Sequence, residues 1–150
     1  MQIKVKYHAD IDHLKKIAVG DWIDLRCAEE TFIPAGDSRM IPLGVSMELP
    51  EGYEAHILPR SSTFMRYGIL LTNGMGIIDS SYRGNDDVWH FCALCISGSD
   101  TMDGERGTIV PKNARIAQFR IMPKQEDKVE FIEVESLGNN NRGGLGSTGA

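Results

Sequence analysis

A chain of 150 residues with 41% apolar side chains is long enough to bury one ordinary core without metal or disulfide staples, so a single domain is expected. Its net charge of -5 speaks against broad binding to a nucleic-acid backbone, which needs concentrated positive charge. The longest apolar run, Phe91 to Ile96, is far too short to cross a bilayer, and three cysteines (Cys27, Cys92, Cys95) are too few for a disulfide framework; no membrane or nucleic-acid partner and a cytoplasmic location are expected.

In chain order, Asp10 is a plausible cap for a short helix running to about Ile17. Apolar and β-branched clusters then predict strands at Trp22 to Leu25, Gly44 to Leu49 and Tyr53 to Leu58. A second short helix is expected after Ser61 and Ser62, over Thr63 to Tyr67, with Gly68 as its stop. Val129 to Val134 alternates almost perfectly and predicts a late strand. Turn signals at Pro34 to Gly36, Pro50 to Gly52, Asp103-Gly104 and Pro111 to Asn113 are closely spaced, which implies an all-β antiparallel sandwich, barrel or jelly roll. From Gly138 onward there is little apolar content and much glycine, so the expected organisation is a folded domain over 1–137 and a flexible tail over 138–150.

Nine of the sixteen basic residues are arginine, whose planar fork matches phosphate oxygens two at a time, so a local anion site is compatible with the acidic total. Pro59-Arg60-Ser61-Ser62 places a guanidinium and two hydroxyls where a strand meets a helix start, which suits either a phosphate or an ordinary serine cap. Asn73 to Gly84 is a glycine-punctuated hairpin signal in which Asn73 offers donor and acceptor to a flat ligand. Asp79, directly after Ile77 and Ile78, reads either as a partly desolvated general base or as a turn aspartate that caps its own backbone. In Arg115-Ile-Ala-Gln118, strand alternation puts Arg115 and Gln118 on opposite faces unless the backbone bends. The tail from Arg142 to Gly149 has the composition of a phosphate-cradling loop but lacks the lysine and following helix of a P-loop.

Taken together and in this order, Asp24-Leu25, Pro59 to Ser62, Gly76 to Gly84, Arg115 to Gln118 and Arg142 to Gly149 resemble the five motifs of the homotrimeric dUTPase family. The resemblance implies a β-barrel or jelly roll assembled as a trimer, Mg2+ as cofactor and hydrolysis of dUTP to dUMP and pyrophosphate, which limits uracil incorporation into DNA. It implies Asp79 as the base that activates water, Tyr82 beneath the deoxyribose, and Asn73, with Gly76 and Ile78 nearby, around the uracil. Arg60, Ser61, Ser62, Gln118 and Arg142 would hold the phosphates, Leu145, Gly146, Ser147 and Thr148 would close over them, and Asp24 would position magnesium through water. The family usually carries an aromatic where Leu145 stands; Trp89 and Phe91 read either as strand-core aromatics or, less readily, as rings that stack on the base in its place.

Two rival readings follow from the same motifs. The related dCTP deaminase carries a catalytic glutamate ten residues beyond the third-motif aspartate, where this chain has Trp89, which cannot shuttle protons. A trimeric nucleotide-binding regulator acting on a protein partner has no need of a base beside a phosphate site. Cys92 and Cys95 lack a second ligand pair at zinc spacing, and their offset of three in a strand points them to opposite faces.

Overall fold

A computed structural model of the chain describes residues 1–100, 104–125 and 128–141. Among them the regular secondary structure is almost entirely strand, in the order β1 (Lys4–Tyr7), β2 (Ile23–Arg26), β3 (Thr31–Pro34), β4 (Ser38–Pro42), β5 (Val45–Glu48), β6 (Tyr53–Pro59), the single-turn helix α1 (Thr63–Tyr67), β7 (Ile69–Leu71), β8 (Gly76–Asp79), β9 (His90–Cys95), β10 (Ser99–Asp100), β11 (Arg106–Val110) and β12 (Arg115–Pro123). No helix among the described residues is long and apolar enough to cross a membrane.

The strands form four antiparallel sheets, β1-β5, β10-β11-β3, β2-β12-β6-β8 and β4-β9-β7, around one core. Alternation makes each strand two-faced: in β9, Phe91, Ala93 and Cys95 are buried while His90, Cys92 and Leu94 point outward, so Cys92 and Cys95 do lie on opposite faces. Trp89 and Phe91 are fully buried, and Trp89 stands edge-on to Phe119 with ring centroids 5.3 Å apart. Both rings are therefore core residues, and neither is free to cover a base.

Several expectations need correction. No helix forms over Asp10 to Ile17; residues 8–22 carry no regular structure. Their backbone is fastened by other segments instead, the Asp12 N–H donating to Asn113 Oδ1 at 2.9 Å and the Leu14 N–H to the Tyr7 hydroxyl at 2.9 Å, which removes donors a helix would use. Val129 to Val134 is not a strand, because no strand among the described residues pairs with it; Phe131 is 92% exposed and Ile132 77%. The Asn73 segment is not a hairpin turn either, since β7 pairs with β9 and β8 with β6, and the loop passes between two sheets. The helix over Thr63 to Tyr67 forms as expected and ends where Gly68 takes φ 63°; a Cβ there would run into the Ser97 carbonyl.

Candidate active site

The long strand β12 organises the site. Its register against β2 slips between Arg115, opposite Arg26, and Ala117, opposite Leu25, so Ile116 is an extra residue in a β-bulge. Ile116 and Ala117 are both buried, and the bulge thereby returns Arg115 to the outer face, where Gln118 also lies. The backbone bend that the sequence left open is thus what sets Arg115 and Gln118 on one face.

On that face Gln118 lies opposite Asp24 on one side and Leu58 on the other. Asp24 accepts from Arg60 Nε through Oδ1 at 2.7 Å and from Arg115 Nη1 through Oδ2 at 3.1 Å, a carboxylate gripped by two guanidinia. With its Nε engaged, Arg60 has its terminal nitrogens left to form a fork. The Gln118 amide donates to the Pro59 carbonyl at 3.2 Å, tying β12 to the end of β6. The Arg60 N–H is shared between Thr63 Oγ1 at 3.1 Å and the Ile116 carbonyl at 3.3 Å. Ser61 is exposed, and Ser62 occupies the N-cap position of α1 without making a side-chain cap bond. A five-residue helix has little dipole to offer an anion, so charge here rests on the arginines.

Asp79 ends β8 at the other end of the same sheet. It pairs across with Glu54, and Gly76 with Ile57, where a Cβ on Gly76 would sit 3.2 Å from Ile57 Cβ. Ile77 is exposed and Ile78 half-buried, so they shield the carboxylate little, and what desolvation there is does not set its charge state. Instead the Ser81 hydroxyl, then the Ser81 N–H at 2.7 Å, hold the Asp79 carboxyl below the usual aspartate range, and the carboxylate closes an Asx turn. The Tyr82 N–H completes that turn on the Asp79 carbonyl at 3.2 Å, and its hydroxyl donates to the Val88 carbonyl at 3.3 Å. Asn73 is exposed in the preceding loop.

The structure therefore gathers Asp24, Arg60, Arg115 and Gln118 into one cluster and Asp79, Tyr82 and Gly76 into another. Arg60, just past the end of β6, lies six positions along the chain from Glu54, the residue opposite Asp79, which at ~3.3 Å per residue is ~20 Å. Within this chain Asp79 and Arg60 therefore stand apart. Arg142, Leu145, Gly146, Ser147 and Thr148 lie outside the described residues. Sequence reasoning left Arg115 and Thr63 out of the site, the first because a bulge is set by the partner strand, the second because nothing in Ser61-Ser62-Thr63 marks the buried hydroxyl.

Among the described residues no group of three or more His, Cys, Asp or Glu side chains could enclose a metal. Magnesium needs no such cage, since it keeps several waters and takes one or two carboxylates with substrate phosphates. Asp24 fits that requirement: each of its oxygens accepts one guanidinium N–H and retains capacity for a metal-bound water.

Comparison with known proteins places these geometries in context. The chain is 50% identical over 150 residues to the SPbeta prophage-derived deoxyuridine 5'-triphosphate nucleotidohydrolase of Bacillus subtilis strain 168, covering 99% of both. It is 38% identical over 130 residues to the deoxyuridine 5'-triphosphate nucleotidohydrolase of a Hydrogenobaculum species, covering 85% of this chain and 82% of the relative. In fold it is similar to the solved structure of Staphylococcus bacteriophage 80alpha dUTPase with dUPNHPP, with a TM-score of 0.77 at 21% identity and 99% of each chain covered. The dUTPase family model matches residues 22–149, which takes in all five motif segments, and the chain belongs to the dUTPase family.

Proposed function

We propose that the chain hydrolyses dUTP to dUMP and pyrophosphate at sites shared between the subunits of a homotrimer. The observation that carries this reading is the full-length match at 50% identity to a relative named as a deoxyuridine 5'-triphosphate nucleotidohydrolase. The separation of Asp79 from Arg60 supports the shared site, because a base and a phosphate clamp ~20 Å apart serve one substrate only when they come from different copies. Unpacked apolar surface supports assembly: Phe131, Ile132 and Leu137 stand free of their own chain, and a groove of about 520 Å3 beside α1 exposes Phe64, Met65 and Ile109.

Water attacks the α-phosphorus in line with the departing pyrophosphate; the new P–O bond forms as the bond to the bridging oxygen breaks. Asp79 orients this water and takes its proton, contributing roughly 10²–10⁴-fold. Asn73, Gly76 and Ile78 surround uracil and Tyr82 packs under the deoxyribose, where a 2′-hydroxyl has no room. Arg60, Ser61, Ser62 and Gln118 from another subunit align the phosphates, so that positioning and charge neutralisation supply most of the rate. Magnesium, when held through water by Asp24, supplies further neutralisation of the phosphate oxygens. The domain over 1–137 carries the barrel, whose last described strand ends at Pro123, and the tail over 138–150, with Arg142, Leu145, Gly146, Ser147 and Thr148, closes over the bound triphosphate. The free thiols of Cys27, Cys92 and Cys95 accord with a cytoplasmic setting.

The test is pyrophosphate release with Mg2+ from dUTP, dTTP, dCTP and UTP. Release confined to dUTP is expected. No release from any of the four would overturn the reading, and ammonia from dCTP would point to deamination.

A further inference from the structure

Arg60 is held from two directions, and only one of them is electrostatic. Its guanidinium is fixed by Asp24, while its backbone is fixed by the hydroxyl of Thr63, which is fully buried. Thr63 Oγ1 accepts the Arg60 N–H at 3.1 Å and donates to the Ile116 carbonyl at 2.7 Å. That carbonyl belongs to the bulged residue of β12, the same bulge that turns Arg115 toward Asp24. One hydroxyl therefore locks the turn carrying Arg60 onto the strand irregularity that supplies the other half of its clamp.

We propose that Thr63 is a positioning residue for phosphate binding, acting through Arg60; this rests on the reading of the site as a dUTP triphosphate site. The physical argument is the position of the hydroxyl. A buried hydroxyl is tolerated only when satisfied, and this one is satisfied on both sides, by a donor and an acceptor that belong to the site's two halves. Without it, the Arg60 N–H keeps only the longer 3.3 Å contact to Ile116, and the first turn of α1 loses its tie to β12. The guanidinium then samples a wider range of positions, and the fork it presents to a phosphate is no longer pre-ordered.

The experiment uses the full-length protein, with KM and kcat for dUTP and the dissociation constant of its α,β-imido analogue measured for Thr63→Val, Thr63→Ser, Arg60→Gln and the Thr63→Val/Arg60→Gln pair. Thr63→Val keeps the shape and removes the hydroxyl; it is expected to raise KM and the analogue's dissociation constant about tenfold, with kcat within about twofold. Thr63→Ser restores both. In the Arg60→Gln background Thr63→Val has no further effect on the analogue's dissociation constant, because the residue it positions is gone. A threonine that merely supports the fold would lower the melting temperature and the active fraction while leaving KM unchanged, or would add its full penalty on top of Arg60→Gln; either result overturns the proposal. Should Thr63→Val not fold, amide exchange on the wild type decides: the Arg60 N–H must be protected, and free exchange refutes the anchoring. A wild type inactive on dUTP is failure of the functional reading, whereas an active wild type with an unaffected Thr63→Val is failure of this inference alone.

Discussion

Asp24→Asn removes one charge from the centre of the phosphate cluster while preserving side-chain shape. The two ion pairs are 2.7 and 3.1 Å long, which at an effective dielectric of ~20 corresponds to a gross attraction of about 5–6 kcal/mol each. Most of that is returned as desolvation. The side chains of Asp24 and Arg60 are 27% and 25% exposed and that of Arg115 is 48% exposed, so the net loss falls between the ~0.2–1 kcal/mol of an exposed pair and the ~3–5 kcal/mol of a broken buried one. About 1–3 kcal/mol is expected, because the asparagine also leaves two guanidinia facing each other with one neutral acceptor between them. At ~2–4 °C per kcal/mol for a chain of this size, the melting temperature falls by roughly 2–12 °C. The assay is urea or thermal unfolding at fixed subunit concentration, repeated for Arg115→Gln and the double variant. A coupling energy of about 1 kcal/mol is expected between the two positions. An Asp24→Asn protein as stable as wild type, with additive effects in the double variant, would refute the clamp.

The indole Nε1 of Trp89 is buried without a hydrogen-bond partner among the described residues. Trp89→Phe should therefore cost within about 1 kcal/mol, the lost ring contacts offset by removal of an unsatisfied donor, while Trp89→Ala costs ~3–5 kcal/mol, both read from unfolding midpoints. A Trp89→Phe loss above about 2 kcal/mol would mean that the indole finds a partner in the assembled protein. Asp79 has its carboxyl pKa lowered, chiefly by Ser81, so the charged form is favoured in the folded state. As a base it is active above that lowered pKa, and kcat/KM loses this contribution only as pH falls through it. Ser81→Ala should move the acid limb of the pH profile upward; an unmoved limb would show that another group sets it.

Where function was legible in the sequence, it was legible in residue types that local geometry alone positions. Gly68 stops α1 because only glycine fits against the Ser97 carbonyl, and the β6 and β9 strands follow from alternation. What alternation cannot carry is the identity of the partner. Val129 to Val134 has the pattern of a strand but pairs with none of the strands among the described residues, and the pattern alone names no partner. Arg115 reaches the outer face through a bulge that depends on how β2 meets β12. Asp79 follows two isoleucines in sequence, but sequence neighbours do not desolvate a strand residue; those across the sheet do, and Glu54 is the one opposite. The Asp10 cap signal fails for a similar reason, since Tyr7 and Asn113 claim the backbone donors first.

The central claim is that the base and the phosphate clamp of one working site belong to different subunits. Asp79→Asn and Arg60→Gln are each expected to be inactive on dUTP alone. When the two are unfolded together in equal amounts and refolded, random assembly places a wild-type residue at both positions in about a quarter of the sites, and about a quarter of wild-type turnover should return. No recovered activity, with mixed trimers demonstrated by mass, would contradict the shared site and the account built on it.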